Sequence, residues 1–376
     1  MKRVLSILLL MTMVFSVLAG CTKEPGTTEP AATTAAAAGE TTAAAVEPVK
    51  ILNLINGTLG DMSFFDSSER GMQAIAAKYG DKVQVKTIEM SLDQTKWQPT
   101  LEDEVGGDWD VIIVGTWQMV DMLQKVAPEN PEKNFIIYDS SVDYAAGDFK
   151  NVYSITFKQN EGSYLAGALA AKLSTTQKIG FLGGMDIPVI NDFLVGYIEG
   201  AKATSPDVKV AVSYIGSFGD SAKGKEMAAA QYSQGVDIGF NVAGQAGLGQ
   251  IDAARDAKKL AIGVDSDQAM LFASSDPEKA AVIPTSMLKN IDQVLIRAID
   301  MYMEGKLPVG QAESLGMKEN AVGLADNEFF QKLVSPEIQT YVNDLKTKIM
   351  NGEITVSTAF GMDQAKLDEV RAAVKP

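Results

Sequence analysis

The chain contains no histidine. That absence removes serine-histidine and cysteine-histidine nucleophile pairs, histidine zinc sites and imidazole proton shuttles together, so enzymatic readings start weak. Cysteine is almost missing as well: Cys21 is the single one in 376 residues. An intramolecular disulfide is therefore impossible, and an extracytoplasmic domain built from this chain relies on its apolar core. Cations are scarce, with 33 Lys and Arg against 48 Asp and Glu and a formal charge of -15. Nothing resembles the basic stripe that nucleic-acid binding requires, so no nucleic-acid partner is expected. The apolar run Val4 to Leu18 falls short of the ~20 residues a spanning helix needs. What the chain does have is 46% hydrophobic residues, enough for a large core at this length.

Lys2 and Arg3 precede the apolar run, and small residues follow it, so residues 1–20 read as a secretory signal peptide. Leu18-Ala19-Gly20-Cys21 resembles the lipobox of bacterial lipoproteins, which implies cleavage before Cys21 and lipidation of its thiol; the other reading is an ordinary cleaved signal and a free thiol. From Thr22 to about Val46 the composition collapses to Thr, Ala, Glu, Gly and Pro, which cannot bury enough surface to offset ordering entropy. Residues 21–47 are thus expected to be a lipidated cysteine and a flexible tether, placing a folded domain on the extracytoplasmic face of a membrane.

From Val49 onward strands and helices alternate. Ile179 to Leu182 reads as a short buried strand, Gly183-Gly184 as its turn, and Pro188 as the first turn of a helix whose Val189, Ile190, Phe193, Leu194, Tyr197 and Ile198 make one apolar face. Similar units precede it: strands at Val49–Ile55, Val83–Met90, Val111–Val114, Phe135–Tyr138 and Val152–Phe157, the last leaving the first sheet. Others follow at Val208–Ile215, Val236–Val242, Leu260–Val264 and near Ala281–Ile283, then a helix Met287–Met303 that returns the chain to the first lobe. Further elements, with no lobe fixed by the pattern, are Val322–Leu324, a helix Pro336–Met350 and Ile354–Val356. This alternation predicts an α/β protein of two doubly wound lobes. The expected division is 48–155 with about 284–325 in lobe 1, and 156–283 with about 326–376 in lobe 2.

In such sheets ligands bind beyond the carboxyl ends of the strands. The residues there are Asp61, Ser63, Phe64, Trp117 and Asp139 in the first lobe, and Met185, Asp186, Phe218, Asp220, Asn241, Gly244 and Asp265 in the second. Aromatic faces with carboxylate acceptors suit a neutral, hydroxyl-bearing heteroaromatic better than a phosphate. A capping role is equally open to Asp61, Asp66 and Asp220, a core role to Phe64 and Phe218, and a helix-stapling role to Trp117. Gly183-Gly184 lacks the spacing of a phosphate loop, and Asp265 with Asp267 does not complete a calcium loop, so neither metal nor cofactor is expected.

GFLGGMDIPVINDF at 180–193, YIGSFGDSAKGKEMA at 214–228, IGVDSDQ at 262–268, Ser286-Met287-Leu288-Lys289 and Asp61-Met62-Ser63-Phe64 closely resemble the basic membrane protein family, the PnrA-like nucleoside-binding lipoproteins of ABC importers. The resemblance implies a type I periplasmic-binding-protein fold with three hinge crossovers, a purine nucleoside between the lobes, ABC permease and ATPase partners, a monomer and no catalysis. It assigns Phe64 to base stacking, Asp139 to a ligand contact, and Asp265 with Lys289 to the ribose hydroxyls, where an ion pair between those two would fix both groups. Phe193 and Phe218 both fit the second stacking position. The family's acidic reader of the base edge is replaced near Asn56, and Phe65 follows Phe64 where the family has Asn. Asn56 both donates and accepts, which opens the site to another flat ligand such as a flavin. A calcium-dependent nucleoside hydrolase and an anchored sensor without a transport role are the rival readings.

Overall fold

The computed structural model describes residues 47–376; the expected signal peptide, Cys21 and the expected tether up to residue 46 lie outside the described residues. Among the described residues, twelve strands form two sheets of six. They are β1 Val49–Ile55, β2 Val83–Glu89, β3 Val111–Gly115, β4 Asn134–Tyr138, β5 Val152–Phe157, β6 Lys178–Gly183, β7 Lys209–Tyr214, β8 Ile238–Val242, β9 Leu260–Asp265, β10 Ser286–Lys289, β11 Gln311–Leu315 and β12 Val322–Leu324. The first sheet runs β11-β5-β4-β3-β1-β2 and the second β12-β10-β9-β8-β6-β7. Every pairing is parallel except that of β10 with β12. Central strands such as β3, buried at all five residues, are continuous apolar runs because helices cover both faces.

The chain passes between the lobes three times: after β5, after β10 and between β11 and β12. This is the expected type I architecture, but its boundaries differ from those read in the sequence. β5 stays in the first sheet, between β4 and β11. Ala281–Ile283 is a turn following the short helix Pro277–Ala280. The strand comes later, as β10, so Met287 opens no helix; the helix is Ile291–Met303. β10 and β12, expected in lobe 1 within 284–325, belong to the second sheet. The cause is local packing: β10 finds β9 on one side and β12 on the other, and Met287 is fully buried against Gly162 of helix Gln159–Leu173. Only helix Ile291–Met303, which packs on helix Phe64–Tyr79, and β11 return to the first lobe.

The second lobe is organised around a close pair of helices, Gln159–Leu173 and Pro188–Thr204. A methyl added at Gly167, Gly196 or Gly200 would collide with a backbone carbonyl of the facing helix, so these glycines set the separation. Helix Pro336–Met350 packs on the first of the pair and helix Gln364–Ala372 on the second. Ile354–Val356 forms no strand.

Candidate functional site

A cavity of about 320 Å³ lies where strand ends of both sheets converge, within the usual size range of small-molecule sites. Its wall includes Asn56, Asp61, Phe64, Trp117, Asp139, Phe193, Phe218, Gly244, Asp265 and Lys289. Ser63, a further candidate, stands just behind the wall and is fully buried. Three strand ends place non-glycine residues in the left-handed region: Thr116 at φ 72°, Asp139 at φ 61° and Asp265 at φ 62°. Such strain persists only where surrounding structure fixes it, and it turns each side chain out of the sheet toward the cleft.

The polar centre of the cavity is assembled across the lobes. Lys289, at the end of β10, donates from Nζ to Asp139 Oδ1 at 2.6 Å, with the two side chains 2% and 10% exposed. Ser63, the residue before helix Phe64–Tyr79, donates from Oγ to Asp265 Oδ2 at 2.6 Å. The ion pair expected between Asp265 and Lys289 is therefore replaced by one between Asp139 and Lys289, because Asp139 projects from the first lobe directly onto the ammonium. Burial pushes the Asp265 carboxyl up to about 6, against the pull of the Lys289 ammonium and the Ser63 hydroxyl; the neighbouring Asp139 and Asp61 add to the push. Burial also holds Asp139 above the usual carboxylate range, opposed by Lys289.

Aromatic rings surround this centre. Lys289 Nζ lies 4.7 Å from the ring centroid of Phe193, 5.3 Å from that of Phe157 and 5.8 Å from that of Phe64. Phe64 is half-buried and braced by Tyr138 at 5.5 Å. Phe193 is 2% exposed and packs against Phe240, so it is chiefly core, whereas Phe218 is half-buried with its ring over Gly184. Trp117 stands at the rim, 46% exposed.

Other candidates shape loops. Asp61 accepts from the amides of Ser63, Phe65 and Asp66, and Asp66 from those of Gly60 and Met62, so both carboxylates tie the loop that presents Phe64. Asp220 caps helix Ser221–Ser233. Asn241 is fully buried and bonded to Gln268, away from the cavity. Asp186 turns from the cavity toward Arg371, although its neighbour Met185 lines the wall.

Thr116 and Gln118 line the cavity beside Asn56 and were not legible as site residues. Asn56 Nδ2 donates to Thr116 Oγ1 at 2.9 Å and Gln118 Oε1 at 3.3 Å, leaving its own buried Oδ1 without a partner. The wall thus combines Asn56, whose buried Oδ1 has no partner, a carboxylate-ammonium group and several ring faces. Among the described residues there is no cluster of three or more acidic, Cys or His side chains able to hold a metal ion.

Residues 49–359 match the family described as Bmp, ABC transporter substrate-binding protein PnrA-like. The chain is 39% identical over 251 residues to the ABC transporter nucleoside-binding protein BmpA of Lactococcus lactis subsp. cremoris, covering 64% of this chain and 69% of that protein. It is 32% identical over 318 residues to Basic membrane protein A of Borreliella burgdorferi, covering 82% and 87%. Among solved structures, an ABC transporter solute-binding protein from Aeropyrum pernix K1 superposes with a TM-score of 0.77 at 27% identity, covering 87% of this chain and 98% of that one.

Proposed function

Because the chain belongs to the PnrA-like family of ABC transporter substrate-binding proteins, and is a solute-binding protein rather than an enzyme, we propose that it captures a purine nucleoside between its lobes and delivers it to a membrane permease. The observation that carries this reading is the cavity's composition. Half-buried Phe64 and Phe218 offer ring faces, and Asp139, Asp265 and Lys289 offer acceptors and a donor for ribose hydroxyls. Asn56 Oδ1 is then the acceptor for an N–H of the base, while Asp61 and Ser63 hold Phe64 and Asp265 in place. The nucleoside-binding relative from Lactococcus lactis supports the ligand class.

Cys21 is the proposed lipid anchor, holding a monomeric receptor on the extracytoplasmic face, with the permease and its ATPase as partners. No helix among the described residues is long and apolar enough to cross a membrane. Melting the protein with inosine, guanosine, adenosine and riboflavin tests the ligand. A ligand at 100 times its Kd adds ~2.7 kcal/mol, so one of the purine nucleosides should raise Tm by several degrees. A shift with riboflavin alone replaces the nucleoside by a flavin; intact ligand recovered after overnight incubation excludes hydrolysis.

A further inference from the structure

We infer that Arg371, on the C-terminal helix Gln364–Ala372, is a positioning residue for the ligand cleft, bracing from behind the loop whose Met185 and Ile187 form part of the cavity wall. Its Nη2 donates to Asp186 Oδ1 at 2.6 Å, to the Tyr214 hydroxyl at 2.7 Å and to Asn191 Oδ1 at 3.0 Å. The contacted residues close the network themselves: Asn191 Nδ2 donates to Asp186 Oδ1 at 2.9 Å, and the Tyr214 hydroxyl to Asn191 Oδ1 at 2.6 Å. The guanidinium also lies 5.1 Å from the Tyr214 ring centroid. Four chain segments therefore meet at one arginine: the strand-end loop, helix Pro188–Thr204, the end of β7 and the C-terminal helix.

The bracing extends to the second wall loop. The Tyr214 ring lies over Gly183, where an added Cβ would stand 2.8 Å from it. Immediately after Tyr214, the amides of Gly216 and Ser217 donate to the Gly184 carbonyl at 2.7 and 3.0 Å, which hangs the Phe218 loop on the same backbone. The C-terminal helix is independently fastened, since the amide of Val210 donates to the carbonyl of fully buried Val374 at 2.8 Å. Arg371 is thus held from its own side while it holds the cleft loop. All three acceptors gather around the two hydrogens of Nη2, and the guanidinium beside the Tyr214 ring is the contact a lysine ammonium would not reproduce. The helix itself lies beyond residue 359, where the family match ends.

The cleft role rests on the proposed nucleoside reading; the bracing itself does not. Loss of the brace leaves the two wall side chains to be ordered by the ligand, which should weaken binding about tenfold. The test compares Arg371→Ala, Arg371→Lys and Asp186→Ala in the full chain, using amide hydrogen exchange without ligand and calorimetric titration with inosine and guanosine. Arg371→Ala should raise exchange at 184–188 and 216–218 while the sheet cores stay protected, and should weaken Kd about tenfold. Arg371→Lys should restore part of both effects. Asp186→Ala, which leaves the C-terminal helix fastened at Val374, should reproduce both, and the double variant should be no weaker than either single one. A lowered Tm with unchanged loop exchange and unchanged Kd would overturn the inference, leaving Arg371 as a fastener of its own helix. If Arg371→Ala does not fold, Asp186→Ala decides. If wild type binds no nucleoside, the functional reading fails while the exchange measurement still decides the brace.

Discussion

Asp265→Asn should stabilise the ligand-free protein and weaken ligand binding, and the stabilisation should depend on pH. In the folded chain the Asp265 carboxyl is pushed from 3.8 to about 6 by burial. Because the folded value lies above the unfolded one, its contribution is fully present below about pH 3.8 and is lost as pH rises through about 6. Ionising it at pH 7 costs the fold at most about 3 kcal/mol, from the difference of about 2.2 units at 1.36 kcal/mol each. Asparagine keeps the shape and an acceptor for the Ser63 hydroxyl but never ionises. With 376 minus 46, or 330, described residues, the unfolding entropy is about 0.7 kcal/mol/K, so the gain corresponds to about 4 °C in Tm at pH 7. At pH 4 the difference from wild type should nearly vanish. Binding moves the opposite way: a hydrogen bond to a charged acceptor is worth about 1.5–3 kcal/mol, so affinity should fall about 10- to 100-fold. Paired melts at pH 4 and 7 with nucleoside titration at pH 7 make the measurement. A variant that is less stable than wild type at pH 7, or equally shifted at both pH values, would refute burial as the dominant influence on Asp265.

Lys289→Met removes one partner of a buried ion pair and should cost about 3–5 kcal/mol at pH 7 in urea unfolding. The loss should be smaller at acid pH, where Asp139 in the variant takes up a proton. Gly200→Ala places a methyl against the Tyr164 carbonyl, so a net loss of about 1–3 kcal/mol is expected despite the ~1 kcal/mol gain in helix propensity; an unchanged melt would show that the helix pair separates easily. Phe218→Ala should remove stacking worth ~1–3 kcal/mol and weaken nucleoside binding, whereas Phe193→Leu should lower Tm with affinity nearly retained; the reverse pattern in titrations would make Phe193 the stacking ring.

The two-lobed fold was legible because apolar runs ending in short turns of Gly, Asn, Asp or Ser alternate with helical patterns, and β1 falls where the residue pattern puts it. β10 was not legible. Ser286–Lys289 is four residues long and flows into a helical pattern, and only its neighbours β9 and β12 make it a strand. β11 escaped for the opposite reason, since QAESL is a polar edge strand with a single buried residue, Leu315. The C-terminal helix, whose single buried residue is Leu367, carries almost no apolar stripe. In the site, Asp139 and Asp265 stood out as carboxylates closing strands. Thr116 and Gln118 carry no charge or ring to mark them, and their role follows from the amide of Asn56, 60 and 62 residues away. The partner of Lys289 could not be read from spacing, because the pair is made across 150 residues and two lobes.

That cross-lobe construction links the electrostatics to the motion. Each lobe carries only half of each polar pair: Asp139 and Ser63 belong to the first, Lys289 and Asp265 to the second. Separating the lobes at the three crossovers would let water reach the faces of these groups that meet across the cleft. Bringing them together removes that solvation, which is why both carboxyls sit above the usual range in this structure. A ligand whose hydroxyls donate to these carboxylates offsets the desolvation in the closed arrangement and has no comparable partners in an open one. It therefore favours closure through differential contacts with the two states, as a population shift requires. Protonating Asp265 removes one such acceptor as well as part of the closing penalty. Acid pH should accordingly loosen the coupling between ligand and closure, and the ligand-induced Tm shift should shrink below about pH 6.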